Sequence, residues 1–260
     1  MLKLSPDVEK GIENGAALVA LESTVISHGL PHPTNLAAAR RMEAIVREQG
    51  ALPATVAVLG GSLRVGLTDA ELEHLATAKK IRKASRRDLP VLVSSGGDGA
   101  TTVAATATIA SWAGIRVLAT GGIGGVHKDA PFDISNDLPT LASVPVAVVC
   151  AGAKSILDLG ATLEWLETAG VPVIGYGTDE FPAFYSRTSG LSVDARADSA
   201  EEAAAIIHAG LQMRQPRGML VAVPLPAGFA LSPEYVEAAV ASALSEAKAR
   251  SIEGLSLIHI

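Results

Sequence analysis

The sequence predicts an α/β protein: a single-domain, three-layer α/β/α arrangement on a largely parallel, partly mixed central sheet. Short apolar runs of strand type alternate with helical patterns along nearly all of the 260 residues. The strands are apolar almost without interruption, as in a sheet buried on both faces. Apolar residues make up 48% and charged residues 18%, enough for a sizeable core and too little charge for disorder. Aromatics are only 3%, and Ala and Val dominate the apolar content, a mix suited to closely packed helix-on-sheet layers.

The elements follow in order. Residues 17–21 read as a strand and Asn35 to Gln49 as a helix ended by Gly50. Residues 54–59 form a second strand, and Asp69 to Lys79 a helix opened by the cap signal Thr68-Asp69. Val91 to Ser94 reads as a strand, Gly99 to Trp112 as a helix stopped by Gly114, and residues 115–120 as a strand leading into the turn Gly121-Gly-Ile-Gly-Gly. Val144 to Cys150, Ala153 to Ala169 and Val171 to Tyr176 form a strand–helix–strand unit, with Gly170 closing the helix. Helices at Ser199 to Leu211 and Pro233 to Arg250 flank a strand at Gly218 to Val223. Strands 115–120 and 144–150 lack an intervening helix, which is where mixed pairing is expected. No fixed-period repeat, low-complexity segment or linker is visible.

A formal charge of -6 leaves no basic stripe for a nucleic-acid polymer. One cysteine excludes an internal disulfide framework and fits a reducing compartment. The N-terminus has no long apolar stretch of signal type, and apolar runs break well short of a membrane span. A soluble, cytoplasmic protein with no membrane partner is the expectation.

Ligands of such a fold bind at the carboxyl ends of the strands, and several reactive groups fall there. Lys154 follows the strand ending at Cys150 and opens the expected helix, where the dipole disfavours a cation and an apolar setting favours the neutral amine. A neutral amine forms Schiff bases with carbonyl carbons. From this segment alone, an exposed lysine that happens to begin a helix is the plainer reading. Glu22, between an apolar strand and Ser23-Thr24, suits general acid/base chemistry or, equally, a surface ion pair. Lys83, Arg86 and Arg87 could grip an anion, although a loop laced by salt bridges to Asp88 is commoner. The turns at Gly96 to Thr102 and Gly121 to His127 match neither the P-loop nor the dinucleotide fingerprint. Asp133-Ile-Ser-Asn-Asp137 alternates hard oxygen donors suited to Mg²⁺ or Mn²⁺, or caps a helix before Leu138. Cys150 reads as a buried structural thiol, and Asp179-Glu180 as a minor candidate for the same cleft.

Taken together, these segments resemble the pseudouridine-5'-phosphate glycosidase, or indigoidine-synthase-A-like, family. The matching stretches are Ala20-Leu-Glu-Ser-Thr-Val-Ile-Ser-His-Gly-Leu-Pro, Ser85-Arg-Arg-Asp-Leu-Pro and Gly99-Ala-Thr-Thr-Val-Ala-Ala-Thr. They continue with Ala119-Thr-Gly-Gly-Ile-Gly-Gly-Val-His, Phe132-Asp-Ile-Ser, Cys150-Ala-Gly-Ala-Lys-Ser-Ile-Leu-Asp-Leu-Gly and Gly177-Thr-Asp-Glu-Phe-Pro-Ala-Phe, in the family's order. The resemblance implies Lys154 as covalent nucleophile and Glu22 as general acid/base. It implies substrate contacts at Lys83, Val103, Ser135, Asn136 and Asp137, with Thr120 and His127 bordering the ribose phosphate. Asp133 would bind one divalent metal, usually Mn²⁺, with Mg²⁺ an alternative. The implied reaction is reversible cleavage of pseudouridine 5'-phosphate to uracil and ribose 5-phosphate in pseudouridine degradation, by a homotrimer. A carbon–carbon glycosidic bond has no leaving heteroatom to protonate, so a carboxylate pair of the ordinary glycosidase kind offers no adequate route. Ring opening and a lysine adduct supply one. A Schiff-base aldolase acting on another sugar phosphate is the rival enzyme reading, separated by uracil release. A nucleotide-binding sensor or inactive paralogue is the non-catalytic rival, favoured by binding without turnover.

Two departures accompany the resemblance. The loop Val126 to Phe132 is slightly shorter than the family's. The match runs from near residue 10 to about Gly254, within a domain expected over residues 1–254, and stops after Ile252-Glu-Gly254, where the family continues to an asparagine that helps recognise uracil. The chain is therefore expected to be truncated, with 255–260 an unmatched tail.

Overall fold

The computed structural model describes residues 1–128 and 130–250, and the expectation placed on 255–260 lies outside the described residues. The chain forms two compact units, Met1–Ala119 and a second from Thr120 onward.

The first unit contains, in order, β1 (Leu2–Leu4), α1 (Pro6–Glu13), β2 (Leu18–Leu21), α2 (Thr34–Glu48), β3 (Leu52–Leu59), β4 (Ser62–Val65), α3 (Asp69–Thr77), β5 (Arg82–Ala84), α4 (Leu89–Ser95), β6 (Gly99–Thr101), α5 (Val103–Trp112) and β7 (Val117–Ala119). A π-helical turn, Val25–Gly29, follows β2. Strand β2 pairs parallel with β3 and β7, β1 with β4, and β5 with β6. Strand β3 runs antiparallel to β4 and β6, so mixed pairing arises at β3, a different place from strands 115–120 and 144–150 where it was expected. Every residue from Pro53 to Val58 is buried, so β3 is covered on both faces. One face packs Ala57 and Ala100 against Ile26, Leu36, Ala39, Leu72 and Leu75. Helix α3 opens with the expected cap: Thr68 and Glu71 form a reciprocal capping box.

The second unit contains β8 (Val126–His127), β9 (Ala130–Ile134), α6 (Asp137–Leu141), β10 (Ala147–Cys150), β11 (Leu157–Asp158), α7 (Leu159–Thr168), β12 (Val173–Tyr176), β13 (Ala195–Ala197), α8 (Ala200–Gln212), β14 (Met219–Ala222) and α9 (Pro233–Ala249). Strand β14 pairs parallel with β10 and β12, and β12 with β13. A small antiparallel sheet, β11-β8-β9, stands apart from these. Ala147, Ile174, Ala197, Met219 and Val221 pack with Ala203 of α8. No helix among the described residues is long and apolar enough to cross a membrane.

The α/β class holds, with strands mostly parallel and mixed at β3. Four local expectations change. Residues 91–94 are helical, not extended, because Leu89-Pro90 starts α4 and Gly96 ends it in the left-handed conformation. Gly99–Thr101 is strand β6, and α5 begins only at Val103, where the Thr102 side chain accepts the Ala105 N–H. The helix expected from Ala153 begins at Leu159, capped by the Asp158 carboxylate on the Ala161 N–H at 2.9 Å. The gap between residues 120 and 144 holds β8, β9 and the short α6.

Candidate active site

In the first unit, Glu22 directly follows the last residue of β2. The segment after it is fixed by buried hydroxyls. Ser23 Oγ and Thr101 Oγ1 both donate to the Val56 carbonyl at 2.6 Å. Thr101 N–H donates to Ser23 Oγ at 2.8 Å, Thr24 Oγ1 to the Thr101 carbonyl at 2.9 Å, and Thr106 Oγ1 to Thr101 Oγ1 at 2.9 Å. Buried hydroxyls satisfied in this way hold one geometry, because breaking a single bond strands the others. Half-buried Glu22 receives the Val25 N–H on Oε2 at 3.2 Å. Lys83 lies in β5 opposite Ala100, and the next strand residue, Ala84, accepts the Thr102 N–H at 2.9 Å. That bond sets the start of α5, whose first residue is the buried Val103. Glu22, Lys83 and Val103 thus sit on segments tied together through Thr101 and Thr102. Asp88 is buried and pairs with Arg82 at 2.6 Å, a cation just outside the run Lys83, Arg86 and Arg87, and accepts the Ser85 N–H at 2.9 Å.

In the second unit, the glycine run lies along the end of β10. Thr120 N–H donates to Val149 O, Ala151 N–H to Gly121 O, Ile123 N–H to Gly152 O and Lys154 N–H to Ile123 O, at 3.0 to 3.1 Å. Ile123 and Ala153 form a parallel bridge. Lys154 is therefore a half-buried residue on a bridged turn, five residues before α7 begins. The first-turn dipole setting expected for it does not exist; main-chain pairing with the glycine run places it instead. Gly152 is essential to this turn. Its φ of 95° lies where side chains are rarely tolerated, and a Cβ there would overlap the Pro182 carbonyl.

The same run gathers the 133–137 segment. Gly124 N–H donates to the buried Asp137 carboxylate at 2.8 Å, Asp137 N–H to Ser135 Oγ at 3.3 Å and Ser135 N–H to Gly125 O at 2.9 Å. Asn136 is exposed at the N-terminal edge of α6 and makes no side-chain cap there, and Asp137, expected as the cap before Leu138, is instead the first residue of α6 with its carboxylate on the Gly124 N–H. His127 pairs with Leu157 across β8 and β11, and its Nδ1 lies 3.9 Å from Asp133 Oδ2. Thr120, His127, Asp133, Ser135, Asn136, Asp137 and Lys154 are thus carried on mutually bonded segments. A hollow lined by Lys128, Ser155, Leu157 and Asp158 opens beside the lysine turn.

Among the described residues no three His, Cys, Asp or Glu side chains form a cage. Asp133 is exposed, and His127 Nδ1 lies 3.9 Å from its Oδ2. That donor set suits a hydrated Mg²⁺ or Mn²⁺, which keeps most of its waters and takes one or two carboxylates.

Two sequence candidates go elsewhere. Cys150 is buried, donates to Gly152 O at 3.4 Å, and burial pushes its thiol up to about 12, so it is a structural thiol. Asp179 pairs with Arg196 at 2.7 Å, and Glu180 accepts the Gly190 N–H at 3.1 Å, so both serve the 177–198 segment. Sequence reasoning missed Phe184, whose ring covers Gly121 and Gly122. The Phe181-Pro-Ala-Phe184 spacing does not reveal which ring fills the core and which covers the glycine run.

These features describe an α/β protein with a positioned carboxylate on one unit and, on the other, a lysine turn braced by a glycine run. The chain belongs to the indigoidine synthase A like family, whose model matches residues 7–258. It is 54% identical over 260 residues to a pseudouridine-5'-phosphate glycosidase of Symbiobacterium thermophilum, covering 98% of this chain and 84% of that protein. A protein of the same name from Caldanaerobacter subterraneus is 53% identical over 258 residues, with the same shares covered. Among solved structures, the prealnumycin C-glycosynthase AlnA in complex with ribulose 5-phosphate matches with a TM-score of 0.90 and 41% identity, over 99% of this chain and 84% of that one. An indigoidine synthase A-like protein of Thermotoga maritima matches with a TM-score of 0.85 and 34% identity, over 93% and 80%.

Proposed function

We infer that this chain is a pseudouridine-5'-phosphate glycosidase, cleaving the C1'–C5 bond of pseudouridine 5'-phosphate reversibly to uracil and ribose 5-phosphate. The observation that carries the inference is identity above 50%, over 98% of the chain, to proteins of that name. The fold shared with a C-glycosynthase, crystallised with a pentose phosphate, supports the same bond type.

Glu22 gives a proton to the ribose ring oxygen as the C1'–O bond opens, and the Lys154 amine, in its free-base form, bonds to C1'. The Glu22 carboxylate takes a proton from the nitrogen, whose lone pair then forms a C=N bond at C1' while the C1'–C5 electron pair passes to uracil, and Glu22 returns that proton to uracil C5. Water hydrolyses the C=N bond, releasing the aldehyde of ribose 5-phosphate and restoring the amine. On the first unit Lys83 and Val103 line the substrate site; on the second, Thr120 and His127 border the ribose phosphate and Ser135, Asn136 and Asp137 contact substrate. Asp133 would hold Mn²⁺, or Mg²⁺, with its waters; such an ion offsets phosphate charge and orders solvent. The half-exposure of Asp133 and the 3.9 Å approach of His127 support that role. Catalysis by a cytoplasmic homotrimer in pseudouridine degradation completes the reading.

A uracil-release assay on pseudouridine 5'-phosphate, with and without Mn²⁺, tests it. Release of uracil with one equivalent of ribose 5-phosphate is expected. Binding without turnover, with or without metal, would overturn the enzymatic reading, and a different carbonyl product would favour an aldolase.

A further inference from the structure

We propose that Phe184 is a positioning residue for Lys154, clamping both sides of the turn that carries the amine; the inference rests on the lysine role proposed above. Phe184 has φ 64°, a left-handed backbone that a β-carbon disfavours and that survives only where surrounding contacts enforce it. Its N–H donates to Ala151 O at 3.0 Å, and the neighbouring Ala183 accepts from Ser155 Oγ at 2.9 Å. Ala183 also bridges Gly152 antiparallel. One side of the clamp therefore grips residues 151–155.

The ring grips the other side. A Cβ added to Gly122 would lie 2.6 Å from the Phe184 ring, and one added to Gly121 3.7 Å from it. The ring thus sits directly on the glycine run whose next residue, Ile123, accepts the Lys154 N–H. Tyr185 meets the ring edge-on, with centroids 4.5 Å apart, which limits its tilt. Core filling does not account for this placement. Phe181, three residues earlier, is fully buried and does that, whereas Phe184 is half-buried and strained. Backbone strain of this kind collects where a reactive group must be held in one orientation.

The test compares Phe184→Ala, Phe184→Tyr and Gly122→Ala. A misaimed nucleophile costs turnover more than affinity, so Phe184→Ala should lower kcat by on the order of 10²-fold with KM within about twofold. Phe184→Tyr, which keeps the ring, should restore kcat to near wild type, and Gly122→Ala, which displaces it, should reproduce the loss. Acetylation of Lys154 by acetic anhydride, followed by mass spectrometry relative to Lys3, should change in Phe184→Ala and recover in Phe184→Tyr. Unchanged kcat and acetylation ratio in Phe184→Ala would overturn the proposal. So would a loss of borohydride-trappable sites with kcat per site intact, which is a folding effect alone. If Phe184→Ala does not fold, Gly122→Ala decides: full kcat there overturns the clamp. Failure of the wild type to release uracil would count against the proposed function, while the acetylation ratio would still decide the role of Phe184.

Discussion

The Lys154 backbone N–H donates to the Ile123 carbonyl at 3.1 Å, and the Ile123 N–H donates to Gly152 at 3.0 Å. Lys154, the proposed nucleophile, is thus fastened to the glycine run through its main chain, leaving its side chain replaceable without loss of the turn. Lys154→Ala should keep stability within about 1 kcal/mol, as for other substitutions that break no buried bond. Its uracil release should fall by on the order of 10⁴-fold or more, the scale of removing a covalent nucleophile. Borohydride with substrate should add a ribose-phosphate mass at Lys154 in the wild type and nothing in the variant. A variant rate within tenfold of wild type would sink the covalent role.

Glu22 accepts the Val25 N–H at 3.2 Å, a bond that a carboxamide oxygen also makes. Glu22→Gln should therefore leave the post-β2 segment and the Ser23–Thr101 hydroxyl bonds intact while removing the transferable proton. Turnover should drop by roughly 10²–10⁴-fold with an unchanged melting temperature. If melting falls together with activity, Glu22 is structural.

Asp133 is exposed on β9, so Asp133→Asn should not affect folding. After chelation, the Mn²⁺ concentration for half-maximal uracil release should rise by about tenfold or more, because the only carboxylate assigned to the ion has lost its charge. An unchanged titration would place the ion on other ligands.

Much of the fold was legible because burial on both faces writes itself into continuous apolar strands, and β2, β3, β10, β12 and β14 all fall where those runs lie. Residues 91–94 read as a strand from their apolar content although Leu89-Pro90 and Gly96 bound a helix there, whereas 153–154 read as helical and are held instead by main-chain pairing with Ile123. Strand β6 exists because Gly99 and Ala100 pair with β3 and β5, a long-range fact that local propensity for helix at Ala-Thr-Thr could not express. The candidate residues stand out by type and neighbourhood, but Lys154 is placed by a backbone ladder to Gly121–Ile123 and not by a helix dipole, and such a ladder has no local sequence signal. Phe184 stayed hidden because a left-handed phenylalanine has no local sequence signal.

Cys150 ties stability to alkaline pH. Burial pushes its thiol from the ordinary 9.0 up to about 12, so the folded state keeps a proton that the unfolded chain releases first. Above pH 9 the unfolded state binds fewer protons than the native one, and stability falls as pH rises toward 12. Below 9 both states hold the proton and the thiol contributes no slope. The decline owed to this group is on the order of 1 kcal/mol per pH unit within that window. Lysines and tyrosines titrate in the same range, so the informative quantity is a difference between proteins. Cys150→Ala should lose some stability at pH 7 from the small void it leaves, and then decline less steeply than wild type between pH 9 and pH 11. Urea unfolding at stepped pH measures both slopes. Parallel curves would mean that the thiol is already solvated in the native state, as would alkylation of Cys150 by iodoacetamide at pH 8 as fast as in the unfolded chain.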